Sequence, residues 1–355
     1  MNETPLVIRP MTLGEILDKA IRLYRQNFLT FIGIFAIPYI PLVIIQMIFT
    51  VLYTTTMISP DFLQSADPTT TMGLGIVTII SSVVFLIANF ILVSGFATGA
   101  ITRAVANIYT DKPIGILDSY RAISGSVWKL IWAIVLCTLI LFIVLIWAIV
   151  PVVGWLSGPG IFVFIALIVS PLIAPIAVLE NLGISKTIRR AWDLGRSRFW
   201  WLIGYALVLT LLGQLIVTGP VYLLSAILQG VFASLPDLGY EMQTIVDTIV
   251  SNLLTMALGL LYTPLQLTMM TVVYFDLRAR SEGLDLALQL SPQTENQSET
   301  LSTTLPEISN TGQVTPVITG IDMGRFALLS LVGVLIFACY FGFLFMIVGA
   351  AMYGF

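Results

Sequence analysis

The chain has no histidine at all. That removes imidazole metal ligands, histidine general bases and histidine-activated nucleophiles together. Cysteine is nearly absent: Cys137 and Cys339 sit far apart, each inside an apolar run. They read as small core residues rather than a disulfide or redox pair. Charged residues make up only 10% of the chain, against roughly a quarter in ordinary soluble domains. A chain this poor in charge does not fold as a water-soluble globule. The net charge of −3 gives no basic excess that would draw nucleic acid. HExxH, GxSxG and Walker sequences are missing, as is the PX[DE]XX[KR] signature of three-repeat carriers. The expectation is a non-enzymatic protein without metal or cofactor.

What the chain has in quantity is apolar sequence, 58% of its 355 residues. A membrane-crossing helix needs about 20 mostly apolar residues, because it pairs its own backbone amides where no water can do so. Long uncharged runs predict helices near 28–53, 73–101, 129–150, 160–179, 199–218, 248–275 and 326–352. The fold class is therefore an all-α membrane protein with about seven spanning helices. The stretch 221–234 follows Gly219-Pro220 and either prolongs the fifth helix or lies along the outer interface. Residues 12–26 carry five charges where a cleavable signal would be apolar, so the first helix is expected to stay in the mature protein.

The 16 basic residues orient the helices. Arg9, Lys19, Arg22 and Arg25 precede the first helix; Arg103, Lys112, Arg121 and Lys129 lie between the second and third. Lys186, Arg189, Arg190, Arg196 and Arg198 lie between the fourth and fifth, and Arg278, Arg280 and Arg325 flank the tail. All fall on one side, and the opposite loops hold only Asp61, Asp67, Asp237, Glu241 and Asp247. Lys and Arg mark the cytoplasmic side of short loops. The amino terminus is therefore expected inside and Phe355 outside, with a prokaryotic plasma membrane as the expected setting.

An internal repeat is also legible. The segment before the fifth helix repeats that before the first at an offset of 171 residues, pairing Ala20 with Ala191, Arg25 with Arg196 and Phe28 with Phe199. Leu13, Ile16, Leu17, Ala20, Ile21 and Tyr24 share one helical face, as do Ile184, Thr187, Ile188, Ala191, Trp192 and Gly195. Each reads as an amphipathic helix leading into the membrane, the first begun by a Thr12/Glu15 capping box. Ile116, Leu117 and Asp118 echo Ile16, Leu17 and Asp18. The unit of one amphipathic helix and two spans is thus expected three times, over about 12–110, 111–181 and 182–280, with pseudo-threefold packing. Residues 1–290 form this membrane domain, 291–324 a Ser/Thr/Gln/Pro-rich cytoplasmic linker without order, and 325–355 an appended spanning helix.

The opening RPMTLGEILDKAIRLYRQNF, the internal AWDLGRSRFWWLIG and the closing VVYFDLRARSEGLDLALQL resemble the glycerophosphoryl diester phosphodiesterase membrane-domain family, over roughly residues 7–290. In the enzymes of that family a similar membrane region is joined to a separate soluble catalytic domain. The resemblance covers the membrane module alone, because no soluble segment here is long enough for the catalytic part and its histidines are missing.

Several residues are candidates for function. Lys186, Arg189, Arg190, Arg196 and Arg198 with Trp192, Trp200 and Trp201 form either an anionic-lipid contact or a topology determinant with aromatic anchors. Pro38, Pro41, Pro171, Pro175 and Pro264 bend helices, to build a cavity or as ordinary kinks satisfied by neighbours. Gly95 and Gly99 permit a close helix contact, read as internal rather than dimeric. Gln46, Asn89, Gln214, Asn252 and Gln266 are interior amides, and Glu180 with Asp276 is the one carboxylate pair suited to an intramembrane enzyme. The role these features imply is a module that organises membrane lipids or partner membrane proteins. The alternative is a transporter of a small amphiphile through a cavity between the repeats, distinguished by a polar-lined space at mid-membrane.

Overall fold

A computed structural model of the chain describes residues 11–58, 68–109, 114–234, 239–283 and 318–335. Every regular element among them is helical. The first is α1 (Leu13–Gln26), begun by the expected capping box: the Glu15 amide donates to Thr12 Oγ1, and the Thr12 amide donates to Glu15 Oε2 at 2.7 Å. It leads into α2 (Phe28–Ile58). Next comes α3, which runs Pro68–Asn89, passes through a π-helical segment Phe90–Ala97 and continues as Thr98–Tyr109. After α4 (Ile116–Ile123) and α5 (Val127–Trp147), α6 runs Val153–Phe164, π-helical Ile165–Val169 and Ser170–Leu179. Then follow α7 (Ile184–Ser197) and α8, which is Phe199–Gly213, π-helical Gln214–Thr218 and Gly219–Ala233. The last long element, α9 (Tyr240–Glu282), has 43 residues, and α10 covers 320–335.

Six of these helices (α2, α3, α5, α6, α8 and α9) are long and apolar enough to cross a bilayer. The expected positions of those spans are right and most of their edges are short, the third alone running past its helix end at Trp147. The second span runs on to Tyr109, the stretch 221–234 prolongs the fifth, and the sixth covers 240–282 rather than 248–275. Charges near the ends, taken as stops, prove to be helical, and the protein pairs and buries Asp276 and Arg278 among them. The helix expected as a seventh span over 326–352 is described only as far as 335, as α10. It begins at 320, inside the stretch expected to lack order, because Thr319 and Asp322 form a reciprocal cap: the Thr319 amide donates to Asp322 Oδ2 at 3.0 Å and the Asp322 amide to Thr319 Oγ1 at 3.4 Å. The rest of the expected linker and of the last helix lies outside the described residues.

The short amphipathic helices bury most of their apolar stripes against the bundle, leaving Ile21 and Leu117 exposed. Ile16 and Ala20 of α1 are wholly covered where α1 packs on α9; Ala191 and Trp192 of α7 are buried where α7 packs on α6 and α5. Similarly, α4 packs on α3 and α2, its Tyr120 hydroxyl donating to Ile34 O at 2.6 Å. The second halves of α3, α6 and α9 pack against one another at the centre, with Ile101, Ala104, Ile173, Ala177, Val272 and Val273 wholly buried. Here α2, α5 and α8 lie outside. Gly95 and Gly99 serve this packing within one chain. A side chain at Gly95 would meet Ile131 at 3.0 Å, and one at Gly99 would meet Leu130 at 3.1 Å, both on α5.

Candidate functional site

Between the inner helices and α5 and α8, beside the π-helical turns of α3 and α6 and the prolines of α6, the packing opens into a cavity of about 300 Å³. Phe90 and Ser94 come from the π segment of α3, Thr98 and Thr102 from the next turns, Ser170 and Pro171 from α6 directly after its π segment, and Gln266 and Thr271 from α9. A π turn carries an extra residue that fits no regular neighbour, and such turns concentrate at functional sites. A proline in a membrane helix removes one amide donor from the ladder and loosens the wall in the same way.

The lining is apolar with hydroxyls and one amide, and it contains no charged residue. Thr98, Thr210 and Thr271 direct their hydroxyls to carbonyls of their own helices, at 3.1, 2.9 and 2.9 Å. Among the described residues, Ser94, Ser170 and Gln266 have no such partner. An amide and two hydroxyls without partners in an apolar wall are donors and acceptors held ready for a guest or for water. About 1.5 Å of rise per residue puts Thr210 some 16 Å from the Phe199 end of α8, near the middle of a bilayer core of about 30 Å.

On the side of the basic residues, α6, α7 and α9 are joined by a layer of ion pairs. Arg278 is fully buried; its Nη1 donates to Tyr274 Oη at 2.7 Å and its Nε to Glu282 at 3.3 Å. The Tyr274 hydroxyl donates to Glu180 at 2.8 Å, and Arg190 bridges Glu180 (3.2 Å) and Glu282. A second group centres on Asp276, also fully buried. It accepts from the Met11 amide at 2.7 Å and from Arg280 Nε at 3.0 Å, with Arg198 Nη1 at 3.5 Å. Arg198 lies over the Trp201 ring, 4.4 Å from its centroid. Burial, then the nearby Arg280, lower the Arg198 guanidinium below its usual value, while Asp276 works the other way.

The residues singled out in sequence as a lipid contact are therefore divided. Arg190, Arg196 and Arg198 turn to the protein's own carboxylates, Arg196 to Asp322 at 3.3 Å and Asp193 at 3.4 Å. Burial raises the Asp322 carboxyl, but hydrogen bonds from Thr319 and Arg196 outweigh it and hold that carboxyl below its usual value. Trp192 is buried edge-on against Phe164, their centroids 5.0 Å apart. Lys186 is exposed; Arg189 is half exposed, with its Nε 3.0 Å from Asp193. Glu180 and Asp276, the carboxylate pair suited to an enzyme, belong to separate ion-pair groups. Of the prolines, Pro171 and Pro175 line the cavity. Of the interior amides, Gln266 does so. The hydroxyls that complete the site were not singled out, because serine and threonine are common in membrane helices and their facing depends on the turn they occupy. Comparison of the chain with protein-family models, curated proteins and solved structures gave no match.

Proposed function

We propose that the chain is a non-enzymatic membrane protein that binds a small amphiphile in the central cavity and passes it across the bilayer. The observation that carries this reading is a space lined by Ser94, Ser170, Thr210 and Gln266 at mid-membrane, where a pure scaffold would be packed dry. The ligand head is polar and uncharged, since no charged group faces it. A natural test is to purify the protein in native lipid and identify what accompanies it, beside Gln266→Leu. Losing a hydrogen bond in an apolar site costs about 1–3 kcal/mol, so the variant should hold the ligand roughly tenfold to a hundredfold more weakly. A copurifying amphiphile unchanged in identity and amount would sink the reading.

We further infer a three-unit design with α3, α6 and α9 as inner helices. The packing of α4 on α3, α7 on α6 and α1 on α9 supports it, each short helix docking on the second span of the unit before it in cyclic order. The sequence resemblance supports placing the chain with the glycerophosphoryl diester phosphodiesterase membrane-domain family, as a module without the catalytic part. We also place the basic end in the cytoplasm. Cysteines introduced at Asp61 and Asp237 should react with an impermeant thiol reagent outside intact cells, and one at Gln293 should not; labelling at Gln293 would reverse the orientation. A second role, contact with anionic lipid or an acidic partner, is favoured by exposed Arg22, Arg25, Arg121 and Lys186 beside exposed Leu29, Leu117 and Trp128.

A further inference from the structure

A second space of about 340 Å³ lies between α3 and α5, on the outside of the bundle. Its walls are apolar. Leu86, Ile87, Trp132 and Leu139 are exposed there, with Trp128 at 69%. The single hydroxyl, that of Thr138, already donates to Ile134 O on its own helix at 3.0 Å. This groove and the central cavity share one lining residue, Phe90. Beyond it the seam between the two helices is tight, since Gly95 and Gly99 press against Ile131 and Leu130. Phe90 is half-buried and is the first residue of the π-helical segment. Phe90 thus borders both an apolar outer groove and a hydroxyl-lined cavity.

We propose that this seam is a lateral doorway, with Phe90 as its gate, and that the ligand is an amphiphile with one apolar chain and an uncharged, hydroxyl-bearing head. The inference rests on the central cavity being a ligand site. The chain lies in the groove and the head passes Phe90 to reach Ser94, Ser170 and Gln266. From Trp128 to Leu139 the groove follows about 16 Å of helix, close to half of a bilayer core of about 30 Å. One extended acyl chain suits that length. The inner space equals roughly ten water volumes, enough for a glycerol-sized head and too small for the body of a two-chain lipid. Charged heads are disfavoured because the described walls of both spaces offer no counter-charge, and a bare ion in an apolar site is costly.

The test uses the full chain in vesicles with a monoacylglycerol carrying a photoactivatable diazirine in its chain, and a lysophosphatidic acid of the same chain for comparison. The monoacylglycerol should label residues 86–91 and 128–139, at least tenfold more than the charged probe. Labelling should fall about tenfold in Phe90→Trp, which enlarges the gate, and persist in Phe90→Leu, which also shows that the site tolerates substitution. Gln266→Leu should weaken labelling as well. If Gln266→Leu weakens it but Phe90→Trp does not, the cavity binds its ligand and the doorway is overturned. If neither substitution matters, the cavity reading falls with it. Equal labelling by the charged probe would overturn the uncharged head.

Discussion

Replacing Arg278 by methionine should destabilise the protein by about 3–5 kcal/mol, the cost of removing one partner from a buried ion-pair group. The side chain is wholly covered, and it stands between Glu282 at 3.3 Å and Glu180 at 3.9 Å. Without it two nearly buried carboxylates face each other with Arg190 as the remaining bridge, and the Tyr274 hydroxyl loses a donor. Both carboxylates cannot stay charged there at low cost. Adding Glu282→Gln should therefore recover part of the loss, which a double-mutant cycle in detergent micelles would measure as a coupling on the order of 1–3 kcal/mol. A single-variant loss below about 1 kcal/mol would mean that water reaches the group and that it behaves like a surface pair. For the same reason, Arg190→Gln and Arg196→Gln are unsuited to testing lipid binding. Both arginines hold the protein's own carboxylates, so a loss of binding would report damage to the bundle.

The substitution Gly160→Leu should detach α10. A side chain on Gly160 would run into the backbone of Phe326, with the carbonyl carbon at 2.8 Å and the Cα at 2.9 Å, and backbone cannot step aside as a rotamer can. The Gly160 amide also donates to Ser330 Oγ at 2.7 Å. Phe326, itself buried, closes an aromatic group with Phe164, Trp192 and Phe199 at centroid distances of 5.5, 5.8 and 5.8 Å. Contacts of this kind contribute about 0.5–1.5 kcal/mol each beyond area. Their joint loss should expose position 330. With Ser330→Cys as reporter, the thiol labelling rate should rise more than tenfold on adding Gly160→Leu. An unchanged rate would show that α10 is held by the Asp322 pairs alone.

Length and charge made the six spans legible, and the stripe from Leu13 to Tyr24 told which face of α1 would be covered. Helix edges were less so. A charge was read as the end of a span, yet Arg103 lies inside α3, and Asp276 and Arg278 inside α9. Some partners of Asp276 and Arg278 are remote in sequence: Asp276 meets the Met11 amide across 265 residues, and no local pattern announces that. The cap at Thr319 was readable as Thr-x-x-Asp, but it sits where composition changes and was taken with the tail. Interior amides were noticed as a class, while the choice of Gln266 over Asn252 for the cavity depends on helix facing. The π-helical turns depend on backbone geometry that residue types do not specify. Those of α3 and α6 lie beside the site.

The length of α9 has a mechanical consequence. Its basic end is clamped by Asp276 and Arg278, whereas Pro264 lies level with the cavity, two residues before Gln266. Proline is the usual place for a helix to bend. Between Pro264 and Tyr240 the helix is a rod about 36 Å long, so a swing of about 10° at the proline would carry its tip roughly 6 Å. A ligand pressing on Gln266 would push beside that pivot. The tip would then act as a pointer, amplifying a small local displacement at the far surface while the clamped end stayed still.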